Sequence, residues 1–244
     1  MTTVVISQPF LFPWVGLFEQ MQLADVFIHY DDVAFSKGSF VNRVQIKTAR
    51  GPQWMTVPLL GRHLGDVILD LKTDDGANWR QEQLAELARH YRDAPYCDEM
   101  LQIVQTVYTR ETMRLADLLI QALEAVNAYF EIAQRTQFHR SSQLSVPGRS
   151  SQRVLDVVRH FRGDVYVTGH GAKNYLEHEA FEAEGVRVRY MDYERRPYSQ
   201  LYGSFDPHVS ILDLIANCGR AGKQYIGSPT VEWREFINRQ RLAG

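Results

Sequence analysis

The sequence predicts an α/β fold: a mostly parallel sheet with flanking helices and a helical insertion between its two halves. Three observations carry that expectation. Short β-branched runs alternate with helical periodicity at the start of the chain and again after residue 146, the rhythm of parallel strands joined by helical crossovers. From about residue 81 to 135 only helical spacing is found. The chain, 244 residues with 45% hydrophobic and 23% charged side chains, is long enough to bury a core without disulfide or metal staples.

Residues 3–7 are a β-branched run stopped by Gln8-Pro9, a buried strand that feeds a loop. Leu17, Phe18 and Met21 follow at helical spacing and 26–30 is a second strand-like run, so the opening reads β-α-β. Such a unit places ligands beyond the carboxyl ends of its strands. Trp54-Met55-Thr56-Val57-Pro58 reads as a third strand and Val67-Ile68-Leu69 as a fourth. Leu101, Val104, Val107 and Tyr108, then Leu115, Leu118, Leu119 and Leu123, mark amphipathic helices, and Pro95 breaks the helical pattern before them. Beyond Pro147-Gly148, Ser150-Ser151 reads as the cap of a helix running through Phe161. A strand at 164–167 ends at Thr168-Gly169-His170-Gly171, and a helix at 174–184, a strand at 186–191 and a helix at 210–217 complete the pattern. The divisions that follow are 1–76 for the N-terminal half, 77–145 for the helical insertion, 146–222 for the C-terminal half and 223–244 for a tail with a short helix around 231–239.

A net charge of -2 and a pI near 6.4 provide no overall basic field, so nucleic acid is not an expected partner. Arg195-Arg196 and the tail residues Arg239 and Arg241 read as solvated surface. Cys97 and Cys218, the two cysteines, fit reduced thiols in a cytoplasmic protein rather than a disulfide framework. The N-terminal apolar run lacks a basic flank and no apolar run is long enough to cross a bilayer, so neither a signal peptide nor a membrane span is expected. The 8 histidines are scattered without His-Glu-x-x-His or Cys-x-x-Cys spacing. No metal and no cofactor are expected.

Several segments, in order, resemble the WbqC-like family: Gln8-Pro9-Phe10-Leu11-Phe12-Pro13-Trp14 with Gly16; Asp31-Asp32 with Phe35-Ser36-Lys37, Asn42-Arg43 and Ile46-Lys47; and Trp54 to Pro58. The likeness continues through Tyr166-Val167-Thr168-Gly169, Tyr175-Leu176, Asp192-Tyr193, Tyr198, Gln200, Phe205 and Ser210-Ile211-Leu212-Asp213-Leu214, to about Gly219. The resemblance implies a place in bacterial O-antigen, lipopolysaccharide or natural-product biosynthesis, with transfer of glycine or another aminoacyl unit to a sugar as the suggested chemistry. Nucleotidyltransferase-type folds share the loop after the first strand, but the His-x-x-His pairing they use is missing here, where Gln8-Pro9 and Trp14-Val15-Gly16 stand.

The densest polar stretch runs from Asp31 through Asp32, Lys37, Asn42 and Arg43 to Lys47. Arg43 offers a planar fork, and Lys37 or Lys47 a point charge, for a carboxylate or phosphate; equally, Asp31 and Arg43 can be an ion pair pinning a loop. Gln8 and Trp14 are expected at the substrate, beyond the first strand. Tyr198 and Gln200 sit in an aromatic stretch suited to a sugar or acyl group, whereas Tyr202 reads as packing. His208, Ser210 and Asp213 invite a triad, but a serine ahead of a helical run is also an ordinary N-cap. His170, at the end of a strand, is the second candidate base, and Cys218 at a helix C-terminus reads as an inert thiol. The function expected is an acyl or aminoacyl transferase with catalytic residues His208, His170 and Asp213. Its partners are an amine or amino-sugar substrate and a carrier-protein or coenzyme A thioester donor. The alternative is a noncatalytic module that binds a nucleotide-sugar or a carrier protein.

Overall fold

The computed structural model describes residues 1–35, 40–63, 65–110 and 112–243. In chain order β1 (Thr3–Ser7), α1 (Val15–Leu23) and β2 (Val26–His29) form the β-α-β opening read from the sequence. β3 (Arg43–Thr48) and β4 (Gly51–Thr56) follow, then α2 (Trp79–Tyr91), α3 (Cys97–Tyr108) and α4 (Leu115–Phe130). After these come β5 (Gln137–Arg140), α5 (Ser150–His160), β6 (Val165–Thr168), α6 (His178–Ala183) and β7 (Arg187–Met191). The chain ends with α7 (Ile211–Cys218), β8 (Thr230–Glu232) and α8 (Trp233–Ala243).

The main sheet has the order β5-β2-β1-β6-β7-β8. All its pairings are parallel except the last, where β8 runs antiparallel to β7 with Tyr190 opposite Val231. Strand alternation divides the core in two. Val5, Phe27, Val165 and Val167 turn to one face, under apolar residues of α1, α2, α3, α4 and α7. Val4, Ile6, Val26, Ile28, Tyr166 and Val188 turn to the other, under α5, α6 and α8. The α/β class and its mostly parallel sheet are therefore as the sequence predicts, in three layers.

Five local expectations change. The run at 54–58 belongs to a separate antiparallel hairpin of β3 and β4, not to the main sheet. Its turn is set by Gly51, whose φ of 100° suits glycine, and by Thr48, whose hydroxyl donates to the Gly51 carbonyl at 2.7 Å. Residues 67–69 supply one bridge, Val67 to Ala34, and then a 3-10 turn at Ile68–Asp70. Within 77–145 the structure adds a strand, β5, which extends the main sheet beside β2; its Gln-Phe-His-Arg sequence suits a partly exposed edge. The tail begins with a strand as well as a helix, and α5 starts without a side-chain cap, its cap position being Arg149.

Candidate functional site

From β1 the chain crosses to β2 on one side, while β6 flanks β1 on the other. Loops leaving the carboxyl ends of the two central strands therefore diverge and leave a crevice, the usual ligand position in open α/β sheets. A cavity of about 1020 Å³ lies there, lined by the segments that follow β1, β2, β6 and β7 and by the start of α5. Among the described residues, Gln8, Trp14, Asp32, Arg43, His170 and His208 reach it, which brings six sequence-derived candidates together.

Trp14 is fixed by its surroundings. A Cβ on Gly16 would lie 2.3 Å from its indole, so glycine alone lets the ring fold against the start of α1. The indole meets Tyr193 edge-on at 4.7 Å and 61°, and Gln20 of α1 donates to the Tyr193 hydroxyl at 2.9 Å. Burial pushes the Tyr193 phenol pKa up, and the nearby Glu19 carboxylate acts in the same direction. His170 sits 5.0 Å from the Tyr193 ring and 4.8 Å from that of Phe236. Its Nε2 is 2.7 Å from the Met191 carbonyl oxygen. A carbonyl only accepts, so Nε2 carries the hydrogen and the neutral ring keeps its basic lone pair on Nδ1.

The carboxylate that lines the cavity is already neutralised. Arg153 grips Asp32 with two donors, Nη1 to Oδ1 at 3.0 Å and Nη2 to Oδ2 at 2.5 Å, and its Nε donates to the Val146 carbonyl at 3.1 Å. Burial raises the Asp32 pKa, but hydrogen bonds from Arg153 and Ser141 outweigh it and the net shift is downward. Three further arginines, Arg43, Arg149 and Arg195, line the same space. Ser150 and Arg195 at its edge also hold left-handed backbone, with φ of 55° and 49°, a conformation that concentrates at binding sites.

The remaining candidates are elsewhere, each for a physical reason. Asp31 is fully buried and its carboxylate accepts from Ser141 Oγ at 3.1 Å and from Ser142 N and Oγ at 3.0 and 2.8 Å. It ties the end of β2 to the turn after β5. Asn42 donates to the Val57 carbonyl at 2.8 Å and bridges the base of the hairpin. Lys47, Tyr198, Gln200 and Asp213 do converge, but in a buried network away from the cavity. There Tyr91 and Tyr198 donate to the two Asp213 oxygens at 3.0 Å each, and Lys47 Nζ donates to Gln200 Oε1 at 2.9 Å. Burial pushes the Asp213 carboxyl up to about 6, against the lowering pull of the two tyrosines and Lys47.

The triad does not assemble. Ser210 Oγ donates to the Phe12 carbonyl at 2.7 Å and accepts from Leu212 N at 3.2 Å as an N-cap, while His208 faces Asp206 at 3.6 Å. Lys37 lies outside the described residues. Burial, then Asp213, push the Cys218 thiol pKa up, in keeping with an inert cysteine. Among the described residues no group of three or more His, Cys, Asp or Glu is placed to hold a metal, and no helix is long and apolar enough to cross a membrane.

Sequence reasoning missed Arg149 and Arg153. A signal was present: both are cations at the start of α5, whose first turn has no acid. Positive charge opposes the helix dipole there, and an anion nearby resolves the conflict, as Asp32 does for Arg153.

Residues 8–225 match the model of the WbqC-like protein family. The chain is 31% identical over 228 residues to the uncharacterized protein Rv1507c of Mycobacterium tuberculosis, an alignment covering 93% of this chain and 98% of that protein. No solved structure matches.

Proposed function

The chain belongs to the WbqC-like protein family, and on that footing we propose that it is a group-transfer enzyme. It moves an aminoacyl or acyl unit of the glycine type from a thioester or other activated donor to an amine or amino sugar, in bacterial surface-polysaccharide or natural-product biosynthesis. The observation that supports this best is His170: a histidine lining the switch-point cavity whose Nε2 is committed to Met191, so that Nδ1 is the free base.

With a thioester donor, the acceptor nitrogen attacks the carbonyl carbon and loses its proton to Nδ1. The C–S bond then breaks, the thiolate leaves with the proton that His170 gives back, and an amide has formed. Gln8 and Arg43, both at the cavity, are the donors proposed for the oxyanion. His208, at the mouth beside Trp14 at 6.3 Å, is assigned to acceptor binding.

The test is mass spectrometry of an amino-sugar acceptor after incubation with a panel of acyl and aminoacyl thioesters. His170→Gln should lower product formation by a factor on the order of 100 or more while leaving donor binding in place. Unchanged turnover in that variant overturns the role of His170. A cavity rich in arginine also suits a noncatalytic module that holds a nucleotide-sugar or carrier protein; under that reading no product forms and no substitution separates binding from turnover.

A further inference from the structure

We infer that the cavity takes a nucleoside diphosphate, with its phosphates on lining arginines and its base against Trp14. The inference rests on the reading of this cavity as the substrate site, and names the chemical class of ligand that the site admits.

Charge selects the first part. The described lining holds one carboxylate, Asp32, and it is spent on Arg153, whose side chain is 9% exposed. That pair sums to zero, so the charge facing a ligand comes from the remaining arginines. Among the described residues Arg149 and Arg195, both exposed, make no side-chain hydrogen bond or ion pair, although the chain as a whole carries a net charge of -2. Keeping guanidinium groups at one cavity in an acidic protein serves an anion with more than one charged oxygen, because each planar fork can bind two such oxygens. A single carboxylate would leave one of the two arginines unanswered.

Shape and aromatic chemistry select the second part. At about 1020 Å³ the cavity is at the upper end of the range for small-molecule sites and far exceeds the needs of a phosphate or glycine alone. Trp14 is held in place by Gly16 and Tyr193, and a rigid indole presented to a cavity is a platform for a planar heterocycle. Diphosphate and base together describe a nucleoside diphosphate. Nucleotide-sugars and coenzyme A both contain one.

Isothermal titration of the full chain, at low and at physiological salt, tests this with ADP, UDP, inorganic diphosphate, coenzyme A and a UDP-sugar. A nucleoside diphosphate should bind, and inorganic diphosphate should bind at least 10-fold more weakly. Arg149→Ala and Arg195→Ala should each weaken the nucleotide at least 5-fold, and Trp14→Ala should bring it down toward inorganic diphosphate. Tighter binding of coenzyme A or of the UDP-sugar then identifies the source. Absence of nucleotide binding to the wild type at millimolar concentration overturns the inference, as does binding that the double variant Arg149→Ala/Arg195→Ala leaves unchanged. Failures of the two readings remain distinct: nucleotide binding without transfer sinks only the transferase. Transfer from a phosphate-free thioester that ADP does not inhibit sinks only the nucleotide.

Discussion

His29 is buried without a polar partner among the described residues. It is 2% exposed at the end of β2, stacked at 5.9 Å on Phe138 and edge-on to Phe27 at 5.2 Å, and neither ring nitrogen has a hydrogen-bond partner among those residues. Burial first, then the Arg140 charge, lower its pKa to about 4. Between that value and the ordinary 6.5 the unfolded chain binds a proton that the folded chain does not, so this residue costs stability as pH falls through the window. His29→Phe should therefore gain stability relative to wild type on acidification, by up to about 3 kcal/mol near pH 4, read as the difference between urea melts across pH. Asp213 works in the opposite sense. With its carboxyl raised to about 6 from 3.8, the folded state holds the extra proton, and its contribution is lost as pH rises from about 4 to 6. Against Asp213→Asn, wild-type stability should fall over that interval by up to about 3 kcal/mol. Parallel curves would show that the Tyr91 and Tyr198 hydrogen bonds hold the carboxyl at its ordinary value.

Among the elements, α8 has a larger part than its place at the end of the chain suggests. Phe236 is 4% exposed and stacks on Tyr190 at 4.1 Å and 5° while also touching the His170 ring at 4.8 Å. Arg239 reaches Asp192 at 2.8 Å, beside the β7 exit that carries Tyr193. The family match ends at residue 225, so β8 and α8 lie beyond it and still wall the candidate base. Phe236→Ala should cost about 3 kcal/mol by chemical denaturation, and Phe236→Leu should recover most of that because it refills the volume. A loss below about 1 kcal/mol would mean that α8 is docked loosely. The start of α5 repeats the lesson at the helix level. Its two cations cluster where the dipole disfavours them, and the partly buried pair with Asp32 links α5 to the end of β2, 121 positions earlier.

For the whole molecule, the central question is whether the helical insertion is a unit of its own. Its helices share one core with the sheet: Leu87, Val104 and Leu119 pack in the same cluster as Val5, Phe27 and Ile211. A shared core couples the unfolding of its parts. Single-tryptophan variants that keep Trp79, in α2, or Trp233, in α8, should report the same urea midpoint, and two separate midpoints would establish independent domains. Much of this architecture was readable in the sequence. The strands at 3–7, 26–29, 165–168 and 187–191 and the helices of the insertion follow from the spacing of their own apolar residues, and so does the position of Gln8 and His170 just after a strand, whereas the switch point between β1 and β6 came only with the strand order. The polar candidates were less legible, because Asp31, Lys47, Tyr198, Gln200 and Asp213 are as polar in sequence as the residues that reach the cavity. Their partners, Ser142 for Asp31 and Tyr91 for Asp213, are 111 and 122 positions away. The sequence alone determined the α/β class and the periodic elements, since periodicity is a local property of the chain. Only the tertiary structure decided which polar groups are spent inside the protein and which, like His170, Arg149 and Arg195, line the cavity, since a hydrogen bond forms between groups that the fold brings within about 3 Å.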